Sequence, residues 1–124
     1  MANELVNEWL EFTSIYNNVS KQLEHDLMSH HHLALKEFYV LMYLDCAEHH
    51  QLPLKVLQTK VGLSQSAMSR LATRMESKDC GVIRRQGCSE DKRDVYAAIT
   101  DKGRHFYNEV KVTFENTLRD VFKS

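Results

Sequence analysis

Apolar residues recur along the first part of the chain at Leu5, Trp9, Phe12, Tyr16, Val19, Leu23 and Leu27, in steps of three or four that match the turn of an α-helix. Val6, Leu10 and Ile15 widen the stripe beyond a single seam. The spacing predicts one long helix over residues 3–28, roughly 38 Å at about 1.5 Å per residue. So small a chain has too little of its own surface to cover such a stripe, and a partner chain is the natural cover. Leu5, Trp9, Phe12 and Tyr16 are therefore candidate dimerisation residues.

The pattern then changes. Leu35 to Cys46 is apolar nearly all round, which predicts a helix buried on most sides, with Cys46 as a core residue. Pro53 suits the first turn of a new helix over about 53–60, where its missing N–H needs no partner. Leu54, Leu57 and Val61 would face inward from it. Gly62 is positioned to end that helix, and Ser64 to cap the next. In "SQSAMSRLATRMESK", Ala67, Met68, Leu71, Ala72 and Met75 share one face, while Ser66, Ser69, Arg70, Thr73 and Ser77 share the other, flanked by Gln65 and Arg74. A short helix, a glycine turn and a capped helix with a small, polar, arginine-bearing face form a helix-turn-helix. Small side chains admit such a helix to a major groove, where Gln and Arg can pair with base edges. Ordinary solvated faces are richer in Glu and Lys; this one carries no acid before Glu76.

"GVIRR" and "VYAAIT" follow as two short β-type runs around a charged tip, a hairpin in the position of a wing. Phe106, Val110, Phe114, Leu118 and Val121 then define a last helix over 101–121, whose Phe114 and Leu118 join the candidate dimerisation set. The fold class expected is mainly α with a small β-hairpin wing: a winged helix-turn-helix, residues 35–100, flanked by N- and C-terminal dimerisation helices. All 124 residues would form a single domain.

Charge alters the picture only when divided along the chain, because the net value is −1. Residues 1–54 hold two lysines against eight acids, a balance of −6; residues 55–93 hold nine Lys/Arg against four acids, +5; the remainder is neutral. The basic block coincides with the helix-turn-helix and wing, where a polyanion-binding surface would lie. Lys55, Lys60, Lys78, Arg84, Arg85 and Lys92 are placed to neutralise phosphates.

The register from Ile83 to Gly103 resembles that of the MarR-type transcriptional regulators: an Ile-x-Arg strand, Asp-x-Arg eight residues after the Ile, and Thr-x-Lys-Gly nine after the Asp. "GLSQSAMSRL" is similar to the family's turn and recognition helix, and the resemblance covers residues 3–118. It implies a homodimer of winged helix-turn-helix subunits on a pseudo-palindromic double-stranded operator, usually repressing. Carried onto this chain, Gln65, Ser66, Ser69, Arg70 and Arg74 would contact DNA from the recognition helix. Arg93 would enter the minor groove from the wing, held by Asp91. The chain departs from the family pattern in two places. Six steps separate Met75 from Gly81 where four are usual, and the chain stops at Ser124, before the family's usual final dimerisation helix.

Three cysteines without a framework spacing argue against structural disulfides and for a reducing, cytoplasmic setting. No apolar run is long enough for a bilayer. Cys88, beside the basic hairpin, is a candidate redox thiol. His30–His32 and His49–His50 flank the second helix, but adjacent histidines diverge, so no metal site is assigned. No cofactor is expected, and nothing in the sequence names a small-molecule effector. A nucleophile elbow, a phosphate-cradling glycine loop and a zinc-protease motif are all missing, so no enzyme is expected. The competing function is that of a shortened antagonist, which pairs with a fuller regulator and blocks it.

Overall fold

The computed structural model describes residues 3–87 and 95–123. Among them the chain forms five α-helices and a three-stranded antiparallel sheet. It divides into two compact units, residues 1–35 with 111–124, and residues 36–110.

The first unit is built from α1 (Glu4–His31) and the C-terminal half of α5 (Asp101–Phe122). Asn3 starts α1 by accepting from the Val6 amide through Oδ1 at 2.9 Å. The helix runs three residues past its predicted end. His32 then closes it in the left-handed region (φ 53°), its N–H returning to the carbonyls of Leu27 and Met28. The apolar stripe divides in two. Leu23 and Leu27 are buried, and polar pairs join this end of α1 to α5. The buried Thr117 hydroxyl donates to Asp26 Oδ2 at 2.6 Å, and His31 Nε2 lies 2.7 Å from Thr113 Oγ1. The N-terminal half of the stripe is open: Leu5 is 75% exposed, Trp9 63%, Phe12 60% and Tyr16 59%.

The second unit holds most of the core. α2 (Leu35–Cys46) buries Phe38, Val40, Leu41 and Leu44. A turn of 3-10 helix at Glu48–His50 leads to β1 (Gln51–Pro53), α3 (Leu54–Val61) and α4 (Gln65–Glu76). β2 (Ile83–Gly87) and β3 (Val95–Ile99) complete the sheet in the order β1-β3-β2. α3 stops at Gly62, whose φ of +79° is the left-handed conformation glycine adopts at least cost. Lys36 Nζ caps the same end by donating to the Val61 carbonyl at 2.9 Å.

Four details differ from expectation. The hairpin gains a third strand, β1, because Gln51–Pro53 pairs with Tyr96–Ala98. Pro53 sits at the end of this edge strand, where it needs no ladder donor, and immediately precedes α3 rather than lying in its first turn. Leu54 is only half-buried. Cys46 is exposed, not core. At about 100° per residue it falls on the side of α2 shared with the half-buried Tyr39 and Tyr43, away from Phe38, Leu41 and Leu44.

Candidate nucleic-acid interface

α4 owes its place to its own sequence. Ser64 accepts from the Ala67 amide at 3.2 Å, satisfying one of the helix's first free donors. Met68, Leu71, Ala72 and Met75 are buried at helical spacing, which fixes the rotation of the helix. Gln65, Ser66, Ser69, Arg70, Thr73 and Arg74 are therefore exposed on the opposite side. Beside the N-terminal end of this face a cleft of about 570 Å³ opens, lined by Pro53, Lys55, Gln58, Gln65, Ser69 and Val95 among others.

The turn from α4 to β2 is closed in spite of its extra length. The Val82 amide donates to the Met75 carbonyl and the Cys80 amide to the Ser77 carbonyl, each at 3.0 Å, and Gly81 supplies a φ of +61°. β2 is thereby bound back to the helix it follows. The return strand is anchored as tightly. The Thr100 hydroxyl donates to the Gly81 carbonyl at 2.7 Å and accepts the Gly103 amide at 3.0 Å, which starts α5. The Thr-x-Lys-Gly register is thus a joint between the hairpin and the last helix.

The arginines of the basic block fall into two groups. Arg85 is held by Glu76, whose carboxylate accepts the Arg85 backbone amide at 2.6 Å and the guanidinium at 3.1–3.2 Å; Arg85 Nη2 also reaches Thr73 Oγ1 at 3.1 Å. The Arg85 amide, chiefly, and the guanidinium beside it hold the Glu76 carboxyl below its ordinary range against the opposing effect of burial. Arg74 Nε donates to Glu37 Oε2 at 3.0 Å. Arg70 and Arg84, by contrast, are exposed and pair with no acid among the described residues. Lys55, Lys60 and Lys78 are exposed, Lys60 with its ammonium 5.4 Å from the Tyr43 ring centroid.

The predicted site residues are therefore not equivalent. Gln65, Ser66, Ser69, Arg70 and Arg74 come together on one face, and Arg84 is exposed on the neighbouring strand. Arg85 is turned toward α4 instead. Cys88, Asp91, Lys92 and Arg93 lie outside the described residues. Sequence reasoning missed Glu37. Its signal was an acid in the first turn of a helix expected to be buried on most sides, where burial disfavours a carboxylate unless a cation meets it.

Among the described residues no group of three or more His, Cys, Asp or Glu is arranged to hold a metal ion. None of the described helices is long and apolar enough to cross a membrane.

A helix-turn-helix whose second helix presents an exposed polar face, followed by a strand pair bound back onto that helix, defines a winged helix protein. The family model for the transcriptional regulators SarA/Rot matches residues 22–110, and the chain belongs to this family, which is one of regulators and not of enzymes. The solved structures agree in fold. AbsC, a MarR family transcriptional regulator from Streptomyces coelicolor, is 24% identical with a TM-score of 0.88, over 98% of this chain and 80% of that one. Sco3205, a MarR family regulator of the same organism solved in complex with DNA, is 20% identical with a TM-score of 0.88, over 98% and 75%. The transcriptional repressor MprA of Escherichia coli is 28% identical over 87 residues, 70% of this chain and 48% of MprA. The chain thus spans about half the length of the curated relatives it matches.

Proposed function

We propose that this protein is a sequence-specific regulator of transcription that binds double-stranded DNA as a homodimer on a pseudo-palindromic operator, probing the major groove with α4 and the minor groove with Arg93. One observation carries the reading: α4 exposes Gln65, Ser66, Ser69, Arg70 and Thr73 as a single small, polar face. Side chains that short let the helix backbone approach base edges, and Arg70 and Gln65 supply bidentate donors for guanine and adenine. Lys55, Lys60, Lys78, Arg84 and Lys92 provide phosphate contacts, which position the protein without reading sequence. Asp91 orients Arg93 so that it reads groove width and potential. The repressor MprA and the DNA-bound Sco3205 support the same reading, repression included.

The homodimer is inferred from the open half of α1. Leu5, Trp9, Phe12 and Tyr16 present a contiguous apolar stripe along the helix, with Val112 and Phe122 of α5 also exposed. A second copy covers it best, with the half-buried Phe114 and Leu118 at its margin. Two α4 helices related by a two-fold axis would then enter major grooves one turn apart, about 34 Å.

The test is selection of duplexes from a random pool, followed by titration of the enriched sequence against a scrambled one. With about six phosphate contacts per dimer, affinity should fall roughly a thousandfold between 50 and 200 mM salt. Arg70→Ala should cost about 1–3 kcal/mol of discrimination while leaving the fold intact. Equal affinity of the unaltered protein for every duplex, or none for any, would refute the proposal.

A further inference from the structure

We propose that Glu37 is a positioning residue for DNA recognition: it acts through Arg74, fixing that guanidinium on the exposed edge of α4 before DNA arrives. The inference rests on the reading of α4 as the recognition helix. It adds a residue on another helix, α2, to the set that determines specificity.

Glu37 lies in the first turn of α2, and its side chain is only 9% exposed. A carboxylate so far removed from water is stable only where cations and donors meet it. Arg74 meets it with Nε, at 3.0 Å. The two ends of this pair have different surroundings, because the Arg74 side chain is 60% exposed. One edge of the guanidinium plane is therefore anchored in the protein. The terminal nitrogens, which make bidentate contacts, are not consumed by the Nε bond.

Arginine carries one of the largest side-chain entropies, and ordering it at an interface costs affinity. An anchor that orders it beforehand removes that cost only for contacts that match the anchored pose. Base edges at a defined position match it; phosphates, which recur along any duplex, are satisfied by many poses. Glu37 should thus act on the ratio of specific to nonspecific affinity. It contrasts with Glu76, which ties Arg85 between α4 and β2 and serves the joint between helix and strand.

The experiment measures that ratio at fixed salt, on a duplex enriched by the unaltered protein from a random pool and on its scrambled counterpart. The variants are Glu37→Gln, Arg74→Ala and the pair combined. Glu37→Gln should lower the ratio about two- to tenfold. In the Arg74→Ala background the same change should leave the ratio unaltered, since the effect of Glu37 on recognition runs through Arg74. A Glu37→Gln protein with a lower melting temperature but an unchanged ratio would overturn the proposal, because its role would then be structural only. Tighter binding of both duplexes with a steeper salt dependence would also overturn it, because Glu37 would then merely repel phosphate. If Glu37→Gln does not fold, Glu37→Asp takes its place. That variant keeps the charge but withdraws the carboxylate by one methylene, so the ratio falls if position matters and holds if it does not. An unaltered protein that distinguishes no duplex would refute DNA recognition by α4 itself. Discrimination undiminished in the Glu37 variants would refute only this inference.

Discussion

Replacing Gly103 with alanine should disrupt the joint between the hairpin and α5. The backbone there needs no unusual φ; the constraint is space. A β-carbon at Gly103 would overlap the Val82 carbonyl oxygen, and would stand 2.8 Å from Ile99 Cγ1 and 3.0 Å from the Val82 carbonyl carbon. Two of these three neighbours are backbone, which cannot rotate away as a side-chain tip can. The oxygen concerned already accepts the Thr100 amide at 3.0 Å, and the Thr100 hydroxyl accepts the Gly103 amide at the same distance. Relieving the overlap means parting β2 from the start of α5 and loosening both bonds. Overpacking in a closed site costs about 1–3 kcal/mol. A weakened buried hydrogen bond adds roughly another 1 kcal/mol. The expected loss is about 2–4 kcal/mol, or some 8–16 °C in melting temperature for a chain of this size.

Thermal and urea unfolding followed by circular dichroism measures this directly. Gly87→Ala is the matched control, because a β-carbon at Gly87 meets nothing within 4 Å among the described residues. That variant should stay within about 0.5 kcal/mol of the unaltered protein. Equal melting temperatures for the two alanine variants would refute the argument that close approach, rather than chain flexibility, demands glycine at Gly103.

Three further outcomes are expected. Glu76→Gln should destabilise by about 1–2 kcal/mol at neutral pH through the loss of charge-assisted bonds to Arg85. The folded-state carboxyl of Glu76 is held below its ordinary 4.5, so its stabilisation is complete above that pH and lost as pH falls below it. Urea midpoints of the two proteins should therefore converge in acid, and a constant gap down to the acid transition would contradict the linkage. Ser64→Ala removes the cap of α4 and should cost about 1 kcal/mol, read from the shift in urea midpoint; Ser66→Ala, two residues on and exposed, should cost far less. Trp9→Glu combined with Phe12→Glu should convert a dimer to monomer at micromolar concentration in sedimentation velocity while helical content is kept, since both residues are exposed in the isolated chain.

Much of this architecture was legible because the residues that specify it act locally. The period of α1, the inward set Met68, Leu71, Ala72 and Met75, and the caps at Ser64 and Gly62 follow from spacing and backbone chemistry alone. β1 was not legible: three residues ending in proline carry no strand signal, and Gln51–Pro53 is extended only because β3 offers it a partner. Cys46 was misplaced because a run apolar nearly all round hides its rotation, which Phe38, Leu41 and Leu44 set through contacts distant in sequence. The candidate site was half-visible. Which side chains lie on the exposed face of α4 follows from the helix period. Which arginines are tethered does not, since Glu37 is 37 residues from Arg74 and Glu76 is 9 from Arg85.

That tethering bears on how one basic block can serve both affinity and selectivity. On the proposed reading, exposed cations such as Arg84, Lys55 and Lys78 can follow phosphates of any sequence, and their contribution falls with salt. A surface made only of such groups would bind every duplex alike. Arg85 and Arg74 each bear an acid partner instead, and each partner removes conformational freedom at a different level. Glu76 fixes a strand against the recognition helix, so an error in the angle between strand and helix costs the bonds that Arg85 donates to Glu76 and Thr73. Glu37 fixes a single guanidinium, so an error in the base beneath it costs a contact the side chain cannot remake by turning. Removing either acid leaves the positive charge in place and takes away its geometry. Nonspecific affinity should then persist as discrimination falls, whereas deleting an exposed lysine would lower both affinities together.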